Sequence, residues 1–280
     1  MIANTYRIPK LNEFDQFCID AAGVIYTDKG VLAGVPETIA TFQETGSVFL
    51  VSNNSYMYPT FITERLLKDN IRIMPEHIIS SGHGLRWDDS LYQQVKDKVV
   101  YLLGEEQTIP YLEEANVKKI TKQLDECDVI ILAAYLQSYS LDLIDNIISH
   151  CKKYPVTPII CCNCDRYVFG TDSLIPVVGY YADKIDEKVP QSIQWFGKPL
   201  INFSNYVKHF LSRYDISPSK KTIFFDDNLE NVVNMQTHLG ISGCWIQETG
   251  IHQKQPIDSL LSSYGHPDYI IPSLASINNC

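Results

Sequence analysis

Short apolar runs alternate along the chain with longer stretches in which apolar positions recur every three or four residues. The runs FCIDAAGVIY (17–26), SVFLVSNNS (47–55), KVVYLLG (98–104), DVIILAAY (128–135), TPIICCN (157–163), TIFFDD (222–227) and GCWIQ (243–247) read as buried strands. The stretches ETIATFQETG (37–46), PTFITERLLKDNI (59–71), LDLIDNIISHCKKY (141–154), NFSNYVKHFLSRY (202–214) and NVVNMQTHLG (231–240) carry the helical period. Gly46 closes the first of these as a C-cap signal. Strand and helix in alternation predict an α/β fold with mostly parallel sheets. Ligands in such folds bind at the carboxyl ends of the strands. Asp20, Ser52 and Asp227 fall at those ends.

Four short pieces lie at strand-to-loop or loop-to-helix junctions, in a fixed order. They are Asp20-Ala21-Ala22-Gly23, then Ser52-Asn53-Asn54, then Gly197-Lys198-Pro199, then Asp226-Asp227 followed by Asn231. Alone, each has a bland reading. A lysine after a turn is mostly exposed, and a serine there caps the turn. Adjacent carboxylates at a strand end are harder to dismiss, because they repel unless a cation or donors offset them.

Together the pieces point to phosphoryl chemistry. A carboxylate can attack phosphorus and carry the group as an acyl phosphate. Two anions repel, so a divalent cation must lie between them, and oxygen ligands from Asp20 and Asp227 suit Mg²⁺. Lys198 would neutralise charge on the equatorial oxygens, with Ser52 and the Asn53 amide holding them.

The bulk numbers narrow the class. The chain has 280 residues, 45% hydrophobic and 20% charged, which suits a globular protein with a sizeable core. A net charge of −10 argues against a nucleic-acid binder, which needs a basic surface. No run reaches the ~20 apolar residues of a membrane span, so no membrane partner is expected. The N-terminus, MIANTYRIPKLNEF, has no apolar signal core. Eight cysteines (Cys18, Cys127, Cys151, Cys161, Cys162, Cys164, Cys244 and Cys280) lie largely in apolar runs, which suits reduced thiols and a cytoplasmic location. CCNC at 161–164 lacks a second pair at zinc spacing, so it is read as buried thiols. The seven histidines show no metal spacing. His83, Tyr180 and Tyr181 are read as packing or rim residues, and Asp165 with Arg166 as a surface pair.

The ordered set resembles the haloacid dehalogenase (HAD) superfamily, and most closely its class IIA branch of p-nitrophenylphosphatase, phosphoglycolate and sugar phosphatase relatives. VLAGVPETIATFQETGSVFLVSNNS resembles the stretch from its first to its second motif. HIISSGHGL and KVVYLLGEE resemble the start of its inserted cap. CDVIILAAYLQSYSLDLIDNII, CCNCDRYVFGTDSLIPVVGYYADKI and WFGKPLINF resemble the cap and third motif, and HPDYIIPSLASI its usual ending.

The resemblance implies a Rossmann-like core, 1–80 and 192–280, interrupted by a C2-type α/β cap at 81–191. It implies Asp20 as nucleophile and Mg²⁺ ligand, the Ala22 carbonyl as a second ligand and Asp227 as a third, with Asp226 supporting. Ser52, Asn53 and Asn54 become phosphate binders, Lys198 the charge stabiliser, and Asn163 and Asp165 substrate-facing cap residues. The partner implied is a small phosphorylated metabolite, and a homo-oligomer formed through the cap stays open beside a monomer.

The chain departs from that pattern at one position. Family phosphatases read D-x-D at the first motif, and the second aspartate protonates the leaving oxygen. Here that position is Ala22. Loss of a positioned acid–base costs roughly 10²–10⁴-fold in rate. The fourth motif departs too, with Asn231 and Val232 where a second acid is usual. Three explanations are open. One is a class IIA subgroup without the second aspartate; GYYADKI and IISSG resemble such a subgroup, which has tryptophan there. Another is C–P or C–halogen cleavage. The third is an engineered replacement. A weak phosphatase is the expectation, with a binding protein on a phosphatase scaffold as the alternative.

Overall fold

The computed structural model describes residues 6–133, 141–170, 173–189, 192–253 and 255–279. β1 (Gln16–Ile19) leads into a small hairpin of β2 (Tyr26–Thr27) and β3 (Gly30–Val31). α1 (Val35–Thr45) then returns the chain to β4 (Ser47–Ser52), and α2 (Pro59–Leu67) to β5 (Ile78–Ser80). Short helices α3 (Gly84–Trp87) and α4 (Asp89–Val95) carry it to β6 (Val99–Leu103), α5 (Ile109–Glu114), β7 (Lys119–Thr121) and β8 (Val129–Leu132). Next come α6 (Leu141–Lys153), β9 (Ile159–Cys161), the hairpin β10 (Tyr167–Phe169) with β11 (Leu174–Pro176), α7 (Val178–Asp186) and β12 (Gln194–Trp195). The chain ends with α8 (Ile201–Ser212), β13 (Thr222–Asp226), α9 (Leu229–Leu239), β14 (Ser242–Ile246), α10 (Ile257–Tyr264) and β15 (Tyr269–Ile271).

Two parallel sheets result. The first runs β15-β14-β13-β1-β4-β5 and the second β12-β9-β8-β6-β7. Strand alternation builds the core on both faces of the first sheet. Phe17 and Ile19 point to one side with Leu50 and Phe225. Cys18 points to the other with Phe49 and Phe224, in a cluster that continues into Leu102, Val129 and Ile131 of the second sheet. α1 buries Val35, Thr38, Ile39 and Phe42, the spacing of one helical face. Phe42 stacks on Phe17 at 4.4 Å and on Phe225 at 5.4 Å.

Three sequence expectations change. The run 17–26 is not one strand: β1 stops at Ile19, and Gly23 at φ 76° turns the chain before β2. Its apolar residues Val24 and Ile25 are buried all the same, in the turn. Gly46 is not a left-handed cap, because its φ is −168°. It is there for space: a Cβ would lie 2.2 Å from the Asp15 carbonyl oxygen. Gly240 does close α9 in the left-handed region, at φ 66°. The end of the expected strand 128–135 lies outside the described residues, as does Cys280. Among the described residues, no helix is long and apolar enough to cross a membrane.

A polar knot sits where the chain passes from the first sheet to the second. Tyr111 donates to the Met57 carbonyl at 2.9 Å and lies 2.6 Å from Ser80 Oγ, which is 3.2 Å from His83 Nδ1. With the Tyr111 proton on Met57, Ser80 donates to Tyr111 and His83 donates to Ser80. Burial lowers the His83 pKa to about 4, with Arg213 adding to the effect of burial, although Glu114 Oε2 lies 4.0 Å from Nε2. The unfolded chain would bind this proton near pH 6.5 and the folded chain only near 4. Stability is therefore present above pH 6.5 and falls as the pH drops towards 4, by roughly 3 kcal/mol over that window. Urea unfolding across that range should show the slope, and His83→Asn should flatten it.

Candidate active site

The carboxyl ends of β1, β4 and β13 meet at one rim of the first sheet, because these strands are neighbours in the order β13-β1-β4. They bring Asp20, Ser52, Asp226 and Asp227 together. Lys198 enters from the loop before α8. Its ammonium is 2.7 Å from Asp20 Oδ1, 2.6 Å from Asp226 Oδ2 and 3.1 Å from the Val51 carbonyl oxygen. It is 1% exposed, so the bland reading of a surface lysine fails. Burial pulls the ammonium towards neutrality, but Asp20, Asp226 and Asp165 more than offset this and hold it charged.

Oxygens of Asp20, Asp226 and Asp227 lie within 4.8 Å of one another, and all three residues are buried. Three carboxylates against one ammonium leave an excess of buried negative charge. Burial raises the Asp20 pKa to about 6, against the pull of Lys198. Asp227 is held well above the ordinary carboxylate range, first by burial and then by Asp226 and Asp20. Protons or a cation would relieve the repulsion that the local N–H donors leave. The donors are hard oxygens, and Asn231 Oδ1 is buried nearby without a hydrogen-bond partner. This donor set fits a divalent cation of the Mg²⁺ or Ca²⁺ type.

The three acids are not equivalent. Asp226 is spent on protein: Oδ2 on Lys198, Oδ1 on the Asn228 N–H at 2.8 Å, and both oxygens near Asn231 Nδ2. Asp227 accepts from the Ile251 N–H at 2.8 Å through Oδ2. Gly23 and Gly250 pack on its side chain so closely that a Cβ would lie 2.4 Å and 2.0 Å from its atoms. Gly23 also has φ 76°, so glycine is required there twice over. The Gly250–Ile251 loop was not foreseen; its only mark in the sequence is a glycine shortly after a strand.

Asn53 holds the site together. Its Oδ1 accepts from the Lys198 N–H at 2.6 Å, and its Nδ2 donates to the Lys198 carbonyl at 3.0 Å and to Asp165 Oδ1 at 2.9 Å. The Asn53 side chain therefore positions Lys198 and ties the rim to the loop after β9. Asn54 turns inward too, accepting from the N–H groups of Tyr56 and Met57. Ser52 Oγ lies 3.3 Å from the Asn54 N–H. Asn163 accepts from the Asp165 N–H at 2.8 Å, orienting that carboxylate. Asp165 and Ala22 line one small pit with Asp20, Asp227 and Asn231. Burial raises Asp165 to about 6, eased by Lys198. It is not the surface partner of Arg166, whose guanidinium pairs with Asp183 at 2.9 Å.

Residues 17–118 match the sequence model of a family described as haloacid dehalogenase-like hydrolase. No curated protein matches the chain significantly. Among solved structures, a p-nitrophenyl phosphatase from Archaeoglobus fulgidus is 20% identical, with TM-score 0.75, over 95% of this chain and 99% of that one. A protein described as a possible sugar phosphatase of the HAD superfamily from Cytophaga hutchinsonii is 18% identical, with TM-score 0.81, over 96% and 99%. A glycerol phosphate phosphatase from Mycobacterium tuberculosis, in complex with calcium, is 15% identical, with TM-score 0.73, over 95% and 75%. The fold of these solved structures thus extends over nearly the whole chain, both sheets included.

Lys198→Met should leave Asp20 and Asp226 facing each other without their shared ammonium. In chelator at pH 8, urea unfolding should show a loss of about 3–5 kcal/mol. The loss should shrink at pH 5, where the carboxyl groups take up protons.

Proposed function

We propose that the chain is a Mg²⁺-dependent phosphatase of a small phosphorylated metabolite, acting through an aspartyl-phosphate on Asp20. The observation that carries this reading is the Asp20 carboxylate, gripped at one oxygen by Lys198 beside the buried Asp227. Nucleophile, cation site and charge stabiliser then stand at one rim. The core comprises 1–80 and 192–280, and the cap 81–191, with β12 paired to the cap sheet at the return crossing. Seven cysteines outside any disulfide among the described residues favour a cytoplasmic setting.

In this reading Asp20, Asp227 and the Ala22 carbonyl would hold Mg²⁺, which when bound would screen the phosphoryl oxygens from the carboxylates. Lys198 fixes Asp20 Oδ1, leaving Oδ2 to attack phosphorus as the ester P–O bond breaks. The leaving oxygen departs with the bonding electrons. Ser52 and the Asn53 N–H receive the phosphoryl oxygens, while the Asn53 side chain keeps Lys198 in place. Water then releases phosphate from Asp20. Ala22 supplies no proton, so esters with acidic leaving groups react best and alkyl phosphates slowly.

Two outcomes are expected. p-Nitrophenyl phosphate turnover should need Mg²⁺, should stop with chelator, and should be abolished by Asp20→Asn. Absence of all three would favour a binding protein on this scaffold. Ala22→Asp should raise kcat on an alkyl phosphate at least about tenfold, and raise it less on p-nitrophenyl phosphate. An unchanged alkyl phosphate rate would mean that another group donates the proton.

A further inference from the structure

The rim chemistry uses one cationic side chain, Lys198, for one phosphoryl group. A second cation borders the approach to it. A cleft of about 100 Å³ shares Ala22 and Asp165 with the catalytic pit and is lined further by Ser52 and Asn53. Arg65, on α2, lines this cleft but not the pit, and so stands apart from the reacting centre. It is the single basic residue among the described residues lining the cleft.

The setting of Arg65 suits a ligand. Its guanidinium carbon lies 4.3 Å from the centre of the Tyr26 ring, and stacking holds the plane while leaving the N–H edge able to donate. Among the described residues, no carboxylate lies within ion-pair distance of it. Val168, Phe169, Ile175 and Val177, in and beside the β10–β11 hairpin, supply an apolar wall to the same cleft. A flat or apolar spacer fits such a wall, and a planar fork of donors fits an oxyanion.

Resting on the phosphatase reading, we infer that Arg65 is a specificity residue for a second oxyanion, so that the substrate is a phosphomonoester whose leaving portion carries a carboxylate or a second phosphate. Asp28 and Asp165 also line the cleft, so a neutral or cationic leaving portion is the competing outcome. A role for Arg65 confined to tethering Tyr26 would change affinity for all ligands alike, whereas an oxyanion site changes their ratio.

The test uses the full chain with Asp20→Asn, saturated with Mg²⁺, so that binding is read without turnover. Calorimetry compares phenyl phosphate with 4-carboxyphenyl phosphate, 1,4-phenylene bisphosphate and 4-(aminomethyl)phenyl phosphate. At least one of the two probes that carry a second oxyanion should bind about ten- to hundredfold tighter than phenyl phosphate. Adding Arg65→Gln should remove that preference, and Arg65→Lys should keep part of it, with thermal melts confirming that both variants fold. Equal affinities, a preference for the amine, a preference that survives Arg65→Gln, or no binding of any probe would overturn the inference. Turnover of p-nitrophenyl phosphate by the unmutated chain is read separately, so failure of the phosphatase reading is seen apart from failure at Arg65.

Discussion

One buried ammonium organises the rim. Lys198 touches Asp20 from β1 and Asp226 from β13 with bonds of 2.7 and 2.6 Å, and the backbone of β4 at 3.1 Å. Three adjacent strands therefore end on one charge. Burying a lysine alone would be costly, as would burying these carboxylates alone. Together they are tolerable, yet the acids still outnumber the ammonium. That remaining negative charge suits the rim to a cation.

Positioning of that lysine is delegated to neighbours. Asn53 takes both the N–H and the carbonyl of Lys198, and the same amide reaches Asp165 in the loop after β9. The two sheets are thus joined at the site as well as through the apolar cluster from Phe49 to Val129. Backbone closeness does the rest. At Gly23 and Gly250 the chain comes so near Asp227 that no side chain fits between them. The site owes its density to missing atoms as much as to present ones.

Ala22 is the other omission, with a different consequence. It lines the pit where an acid would serve a poor leaving group. On the phosphatase reading, a group to protonate the departing oxygen from that position is missing. On that reading, the substrate's leaving portion would depart readily or be held firmly while it does.

Much of this was legible in residue order. Continuous apolar runs and period-3.6 patterns marked the strands and helices, because burial on both faces or on one writes itself directly into the chain. The α/β class followed, and with it the placing of Asp20, Ser52 and Asp227 at strand ends. The sequence alone did not reveal that residues 17–26 are a strand and then a turn, since Val24 and Ile25 are as apolar in one as in the other. It could not show that Asn53 binds the Lys198 backbone and Asp165, that Asn54 accepts from backbone N–H groups, or that Asp165 faces the pit rather than Arg166. It could not bring Gly250 to Asp227 or Arg65 to Tyr26. Local patterns record what each residue must bury. Which polar atoms then meet depends on strands and loops far apart in the chain, and only folding brings those into contact.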